Sequence, residues 1–184
     1  AAATLDIKMI CPLHGPVLRD NLAHYISLYD TWSSYRPQKD GVVIAYASIY
    51  GNTKEAVQLL ADRLKEKGTE VEIYDLARDD MAEASAAFEY SKLVLASPTY
   101  NGDVFPCMRF FIEHLTERNY QKRTVAYIEN GSWAPMAAKV MAGMLEKSKE
   151  LNVIEDIVKI TSSVSEENIS ELDALAQKLA ALQP

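Results

Sequence analysis

Residues 41–68 read GVVIAYASIYGNTKEAVQLLADRLKEKG. The apolar run at 42–47 predicts a buried strand. From residue 54 onward, Ala56, Leu59, Leu60 and Leu64 recur at helical spacing and predict a helix with one apolar face. Between them lies Ser48-Ile-Tyr-Gly-Asn-Thr53, a turn rich in hydroxyls with one glycine and no lysine. A strand that feeds a helix through such a turn is the unit of an alternating α/β fold.

The alternation continues to the end of the chain. Further strands are predicted at Val71–Asp75 and at residues 93–97, 124–129 and 153–160. Helical faces follow at Met108, Phe111, Ile112 and Leu115, then at Ala137, Val140, Met141, Met144 and Leu145. The last is Leu172, Leu175, Ala176, Leu179 and Leu182, with a capping box expected from Ser163 to Glu166. The segment LARDDMAEASAAFEYS after the second strand is less periodic and is assigned a helix on topology. Five strands alternating with helices predict a parallel sheet covered on both faces. Strands one, three and four are the most continuously apolar, whereas EVEIYD alternates as an edge strand does. That suits the order 2-1-3-4-5, whose ligand crevice lies at the carboxyl ends of strands one and three.

Residues 1 to about 38 differ in character. TLDIKMIC suggests a short strand, PLHGPV a turn, and Leu22, Tyr25, Ile26, Tyr29 and Trp32 a helix. RPQKDG breaks that helix as a linker. The opening AAATLDIK is unlike a natural start, so a fragment of a longer chain is expected.

Composition narrows the function. Of 184 residues, 48% are apolar, enough for a full core, and the net charge is −7. A spread negative charge argues against nucleic acid and anionic membranes as partners. No apolar run approaches the roughly 20 residues of a membrane span, and no export leader opens the chain. Cys11 and Cys107 are far apart without a CxxC pair, so both are expected as reduced thiols in a cytoplasmic protein.

Helix amino ends carry unpaired N–H groups and partial positive charge, which suit phosphate. In SIYGNT, Ser48, Asn52 and Thr53 add neutral donors, and Gly51 permits close approach. The lysine and second glycine of a triphosphate loop are missing, as is the GxGxxG of a dinucleotide site. The expected ligand group is a terminal monophosphate. An ordinary capped turn explains this loop alone equally well. The exits of strands three and four weigh against that explanation, since SPTYNGDVFP and ENGSWAP each add a glycine, small polar residues and an aromatic. Tyr100 and Trp133 offer stacking faces, and the backbone near Asn101, Gly102, Asn130 and Gly131 offers hydrogen bonds to a polar ring edge.

SIYGNT, SPTYNGDVFP and ENGSWAP, in that order, resemble the loops of flavodoxin-like FMN-binding domains, over roughly residues 40–182. DIKMICPLHGPVLR, a helix ending YDTWSSY, and YASIYGNT together resemble the junction of flavodiiron proteins, or A-type flavoproteins. There a metallo-β-lactamase-like domain with two irons precedes the flavodoxin-like one. The resemblance implies a remnant of that domain plus linker helix at 1–38 and an FMN domain at 39–184. It places Ser48, Tyr50, Gly51, Asn52 and Thr53 around the FMN phosphate. Pro98, Thr99, Tyr100, Asn101 and Gly102 would border the ring, and Asn130, Gly131, Ser132 and Trp133 would complete the pocket, Trp133 by stacking. Gly102 would free the Asn101–Gly102 carbonyl to turn toward flavin N5.

His14 matches the last iron-ligating histidine of the preceding domain, but its companion ligands are absent, so no iron is expected in this chain. His24 and His114 are expected as ordinary surface residues. In the parent proteins a rubredoxin-like or flavin reductase partner supplies electrons. The flavin relays them to a di-iron centre, usually of the other subunit of a head-to-tail homodimer, for reduction of oxygen or nitric oxide. No catalytic acid or base is expected here; Glu129, at a strand end, is expected as a solvated or capping carboxylate.

Two rival readings of the fold remain open at this stage. One is a free-standing FMN-dependent NAD(P)H:quinone reductase or a simple flavodoxin, which NADPH oxidation by the chain would reveal. The other is a flavin-free domain like a response-regulator receiver, disfavoured because SPTYNG stands where a phosphoacceptor aspartate is required.

Overall fold

A computed structural model describes residues 5–78 and 82–183. The chain divides into two compact units that meet between Arg36 and Pro37. In the first unit, Ile10 and Leu18 form an isolated bridge, with N–H···O distances of 3.0 and 2.9 Å. The strand expected from Thr4 onward reduces to that bridge over residues 5–11, and Thr4 lies outside the described residues. Helix α1 (Leu22–Ser33) follows, and none of its residues is buried.

The second unit is a parallel sheet between two helix layers. Its strands are β1 (Lys39–Tyr46), β2 (Val71–Asp75), β3 (Tyr90–Tyr100), β4 (Asp103–Val104), β5 (Thr124–Asn130), β6 (Asn152–Val153) and β7 (Val158–Ile160). The order is β2-β1-β3-β5-β6, with β7 also on β5 and β4 folded back antiparallel on β3. This is the expected order, with two refinements. The predicted fifth strand is split, because Glu155 and Asp156 interrupt its apolar run between Val153 and Val158. The SPTYNGDV stretch closes a hairpin, Tyr100 opposite Asp103. Its two corner residues, Asn101 (φ 54°) and Gly102 (φ 72°), both have positive φ, as the type I′ turn of an Asn-Gly hairpin requires.

Alternation along the strands decides which helices each face receives. Val42, Ile44, Tyr46, Val94, Ala96, Ala126 and Ile128 pack under α2 (Asn52–Glu66) and α6 (Glu166–Ala181). Val43, Ala45, Leu93, Leu95, Val125 and Tyr127 pack on the opposite face. That face receives α3 (Ala82–Glu89), α4 (Pro106–Glu117) and α5 (Ala137–Leu145). β1, β3 and β5 are buried on both faces, while β2 is half-buried along its length. The helix expected after the second strand is α3; residues 79–81 lie outside the described residues. The α6 capping box forms at Ser165 and Asn168 rather than Ser163 and Glu166. Ser163 is instead drawn into a bridge with Thr161.

The amino edge of the sheet is bound by polar groups. The β1–β3 register slips between Lys39 and Val42, which creates a bulge at Asp40–Gly41. Asp40 accepts from the buried Lys92 ammonium and from Ser91 Oγ at 2.7 Å. Arg123, 3% exposed, donates to the Tyr90 carbonyl at 2.7 Å and to the carbonyl of Phe88. It also donates to the Lys122 and Gln121 carbonyls, at 3.0 and 3.2 Å.

Gly41 has no room for a side chain: a Cβ there would lie 2.8 Å from the Glu70 carbonyl oxygen and from the Tyr90 ring. Gly41→Ala is therefore expected to cost about 1–3 kcal/mol of stability, as overpacked sites do. The check is a lowered denaturant midpoint, and an unchanged one would show that the bulge yields freely.

Candidate functional site at the carboxyl edge

Four strand exits meet in one cleft of about 280 Å³. Ser48, Ile49, Tyr50, Asn52 and Thr53 come from the β1–α2 turn, Pro98 and Thr99 from the end of β3. Asn130, Gly131, Ser132 and Trp133 come from the β5–α5 turn, and Ser162 from the β7–α6 turn. None of the lining side chains is charged. Tyr50 and Trp133 are 90% and 91% exposed, so two aromatic faces stand at the rim.

The β1–α2 turn is organised by one hydroxyl. Ser48 Oγ accepts from the Gly51 N–H at 3.2 Å and the Lys54 N–H at 3.3 Å. A hydroxyl has two lone pairs and one proton, so Ser48 is left with only a proton to offer. Gly51 permits the tight entry to α2 with φ 94°. The first intrahelical bond of α2 runs from Glu55 N to Gly51 O, at 2.9 Å. The N–H groups of Asn52 and Thr53 in the first turn therefore have no intrahelical acceptor.

The opening of α5 is treated differently. Thr99 Oγ1 accepts from the Met136 N–H at 2.9 Å and the Ala137 N–H at 3.2 Å. Glu129 Oε2 accepts from the Ala138 N–H at 3.0 Å. Glu129 is 3% exposed, with its other oxygen 3.9 Å from Lys159 Nζ. It is thus a capping carboxylate, and buried rather than solvated. The same loop is pinched at its base: a Cβ on Gly131 would sit 3.3 Å from Pro135 and from Thr99 Oγ1. Trp133 rides at the tip. Asn130 Nδ2 donates to the Ser162 carbonyl at 3.0 Å, and Ser162 is held at φ 70°.

Ten of the fourteen residues singled out in the sequence line the cleft: Ser48, Tyr50, Asn52, Thr53, Pro98, Thr99, Asn130, Gly131, Ser132 and Trp133. Gly51 shapes the turn without lining it. Tyr100, Asn101 and Gly102 form the β3–β4 hairpin beyond it, with the Tyr100 ring edge-on to Phe105 at 5.4 Å. Asp103 anchors that hairpin by accepting two 2.6 Å bonds from Arg109, which hold its carboxyl below the usual carboxylate range. Ile49 and Ser162 were missed. Ile49 lies inside SIYGNT, but an apolar residue carries no ligand signal. Ser162 belongs to an exit without glycine or aromatic.

Cys107 is a free thiol pushed up in pKa by burial, and Cys11 is free and exposed. His14 is exposed in the first unit. Among the described residues, no three metal-capable side chains gather and no helix is long and apolar enough to cross a membrane.

Comparison with known proteins places this geometry. A family model described as a flavodoxin domain matches residues 43–157. An uncharacterized protein of Methanocaldococcus jannaschii is 27% identical over 182 residues, 98% of this chain and 46% of that protein. A nitric oxide reductase of Moorella thermoacetica is 25% identical over 178 residues, 96% of this chain and 44% of that protein. A variant of a flavo di-iron protein from Thermotoga maritima superposes with TM-score 0.81 at 25% identity, covering 97% of this chain and 46% of that one. The chain spans less than half the length of these relatives.

Glu129→Ala is expected to lower unfolding free energy by about 1–3 kcal/mol, the cost of an unpaired buried N–H. Glu129→Gln keeps a carbonyl oxygen for Ala138 and should lose much less. Equal denaturant midpoints for the two variants would contradict the capping role.

Proposed function

The chain belongs to the flavodoxin domain family, and from that premise we propose that it binds FMN at the carboxyl edge of its sheet as the electron-relay domain of a flavodiiron-type oxidoreductase. The single observation that carries the FMN reading is the state of Ser48. Its two lone pairs are occupied by the Gly51 and Lys54 N–H groups, so it can only donate. A phosphate monoester can only accept along its dianionic face. Ser48 and the Asn52 and Thr53 N–H groups are thus matched to a phosphate tail, with the α2 dipole in support.

The rest of the lining fits the remainder of FMN. The cleft has no charged wall, which suits an uncharged ring, and Tyr50 and Trp133 present apolar faces at its rim. Trp133 stacking contributes about 0.5–1.5 kcal/mol beyond area burial. Gly131, Pro135 and Thr99 hold the Trp133 loop in place, and Asn130 holds Ser162 against the fourth side. When bound, FMN supplies the redox chemistry, and the protein supplies position and shielding from water. No side chain need act as acid or base.

The wider role rests on the resemblance at the junction and on the relatives. The division between Arg36 and Pro37 supports reading residues 1–38 as the end of a metallo-β-lactamase-like domain with its linker helix, and 39–184 as the FMN domain. His14 is then a stranded ligand of a di-iron site whose body lies in the preceding domain. Electrons enter from a rubredoxin-like or flavin reductase donor and leave to the di-iron centre, in a head-to-tail homodimer, for reduction of oxygen or nitric oxide in the cytoplasm.

Riboflavin, which lacks the phosphate, should bind this chain about tenfold or more weaker than FMN, since hydrogen bonds to charged groups are worth about 1.5–3 kcal/mol. Ser48→Ala should weaken FMN and leave riboflavin unchanged in fluorescence titrations. Equal affinity for the two flavins would refute the phosphate assignment. Trp133→Ala should weaken both flavins alike and restore part of their quenched emission; unaltered emission and affinity would remove the stacking contact.

A further inference from the structure

The Thr99 hydroxyl lines the cleft at the end of β3, yet it is already engaged on its far side. It accepts from the Met136 N–H at 2.9 Å and from the Ala137 N–H at 3.2 Å. Those two bonds use both lone pairs, and the remaining direction carries the proton. Among the described residues no group accepts that proton. Nor is there space for the hydroxyl to withdraw toward the α5 loop. Thr99 Oγ1 already lies 3.3 Å from where a Cβ on Gly131 would stand, beside Pro135.

We propose that Thr99 is a specificity-determining residue for the ring of the ligand: its hydroxyl presents the cleft with a donor and no acceptor, so the ring edge against it must offer a carbonyl oxygen or an unprotonated ring nitrogen. This rests on the FMN reading above and deepens it. Thr99 and Ser48 are two copies of one device. Each is a hydroxyl whose lone pairs are consumed by the N–H groups at a helix opening, one beside α2 and one beside α5. The first selects the tail of the ligand, the second its ring. A ring whose edge carries N–H or C–H at that place leaves the Thr99 proton without a partner. Buried donors left in that state are costly, which is how a polar site rejects near-isosteres.

The test separates capping from donation by using riboflavin, which has no phosphate to respond to an added charge. Thr99→Ser keeps both functions and should bind riboflavin and FMN as the unaltered chain does. Thr99→Asp keeps acceptors for Met136 and Ala137 but has no proton to donate at neutral pH. It should melt near the unaltered chain and bind riboflavin about tenfold more weakly, the cost of one lost hydrogen bond. Thr99→Val removes both functions, so it should melt lower and show the same loss of riboflavin. That variant keeps the test decisive if Thr99→Asp fails to fold. A shifted visible absorption band of bound riboflavin in Thr99→Val, absent in Thr99→Ser, would locate the loss at the ring. Riboflavin binding undiminished in Thr99→Asp or Thr99→Val overturns the proposal while leaving FMN binding intact. Failure of the unaltered chain to bind FMN at all would instead bring down the FMN reading, and this inference with it.

Discussion

Two helices open onto the same edge of the sheet, and the fate of their first N–H groups decides what that edge can hold. At α5, Thr99 and Glu129 accept from Met136, Ala137 and Ala138. At α2, Ser48 accepts from Gly51 and Lys54 and leaves Asn52 and Thr53 between them. Both openings carry the positive end of a helix dipole. Only the second keeps free donors beside a hydroxyl that can itself donate. An anion is therefore directed to one end of the cleft, and an uncharged ring to the other.

This arrangement depends on strands that do not shift. β1, β3 and β5 are buried on both faces, so a slip of one residue would drive apolar side chains across the sheet. Their amino ends are tied by side chains. Lys92 reaches Asp40, Arg123 reaches the carbonyls of Phe88 and Tyr90, and the Asp40–Gly41 bulge takes up the mismatch between β1 and β3. With that edge fixed, Ser48, Thr99 and Glu129 emerge at set heights at the other. Their caps then fix the helices rather than follow them.

Much of this was legible in the sequence, because strand and helix periods differ sharply and apolar runs mark interior strands. The three glycine-bearing exits were legible for the same reason that loops carry function: small polar residues cluster where a ligand must be approached. Hydrogen-bond direction was not legible. Thr99 reads as one more hydroxyl until the Met136 and Ala137 N–H groups are seen to occupy its lone pairs. Asn101-Gly102 was assigned to the ring, although the dipeptide is first a hairpin signal, and its positive φ values build the β3–β4 corner. Ser162 was hidden because its place in the cleft comes from the Asn130 amide across two strands, which no local pattern encodes. The split of the last strand came from Glu155 and Asp156, whose charges resist a buried ladder.

Amide-resolved NMR of the chain with FMN, set against the same spectra with riboflavin, measures the central claim directly. The account expects the difference between the two flavins to concentrate on Asn52 and Thr53, whose amide protons move downfield with the phosphate, while Met136 and Ala137 respond alike to both. A phosphate-dependent shift at Met136 and Ala137 with Asn52 and Thr53 unmoved would contradict it.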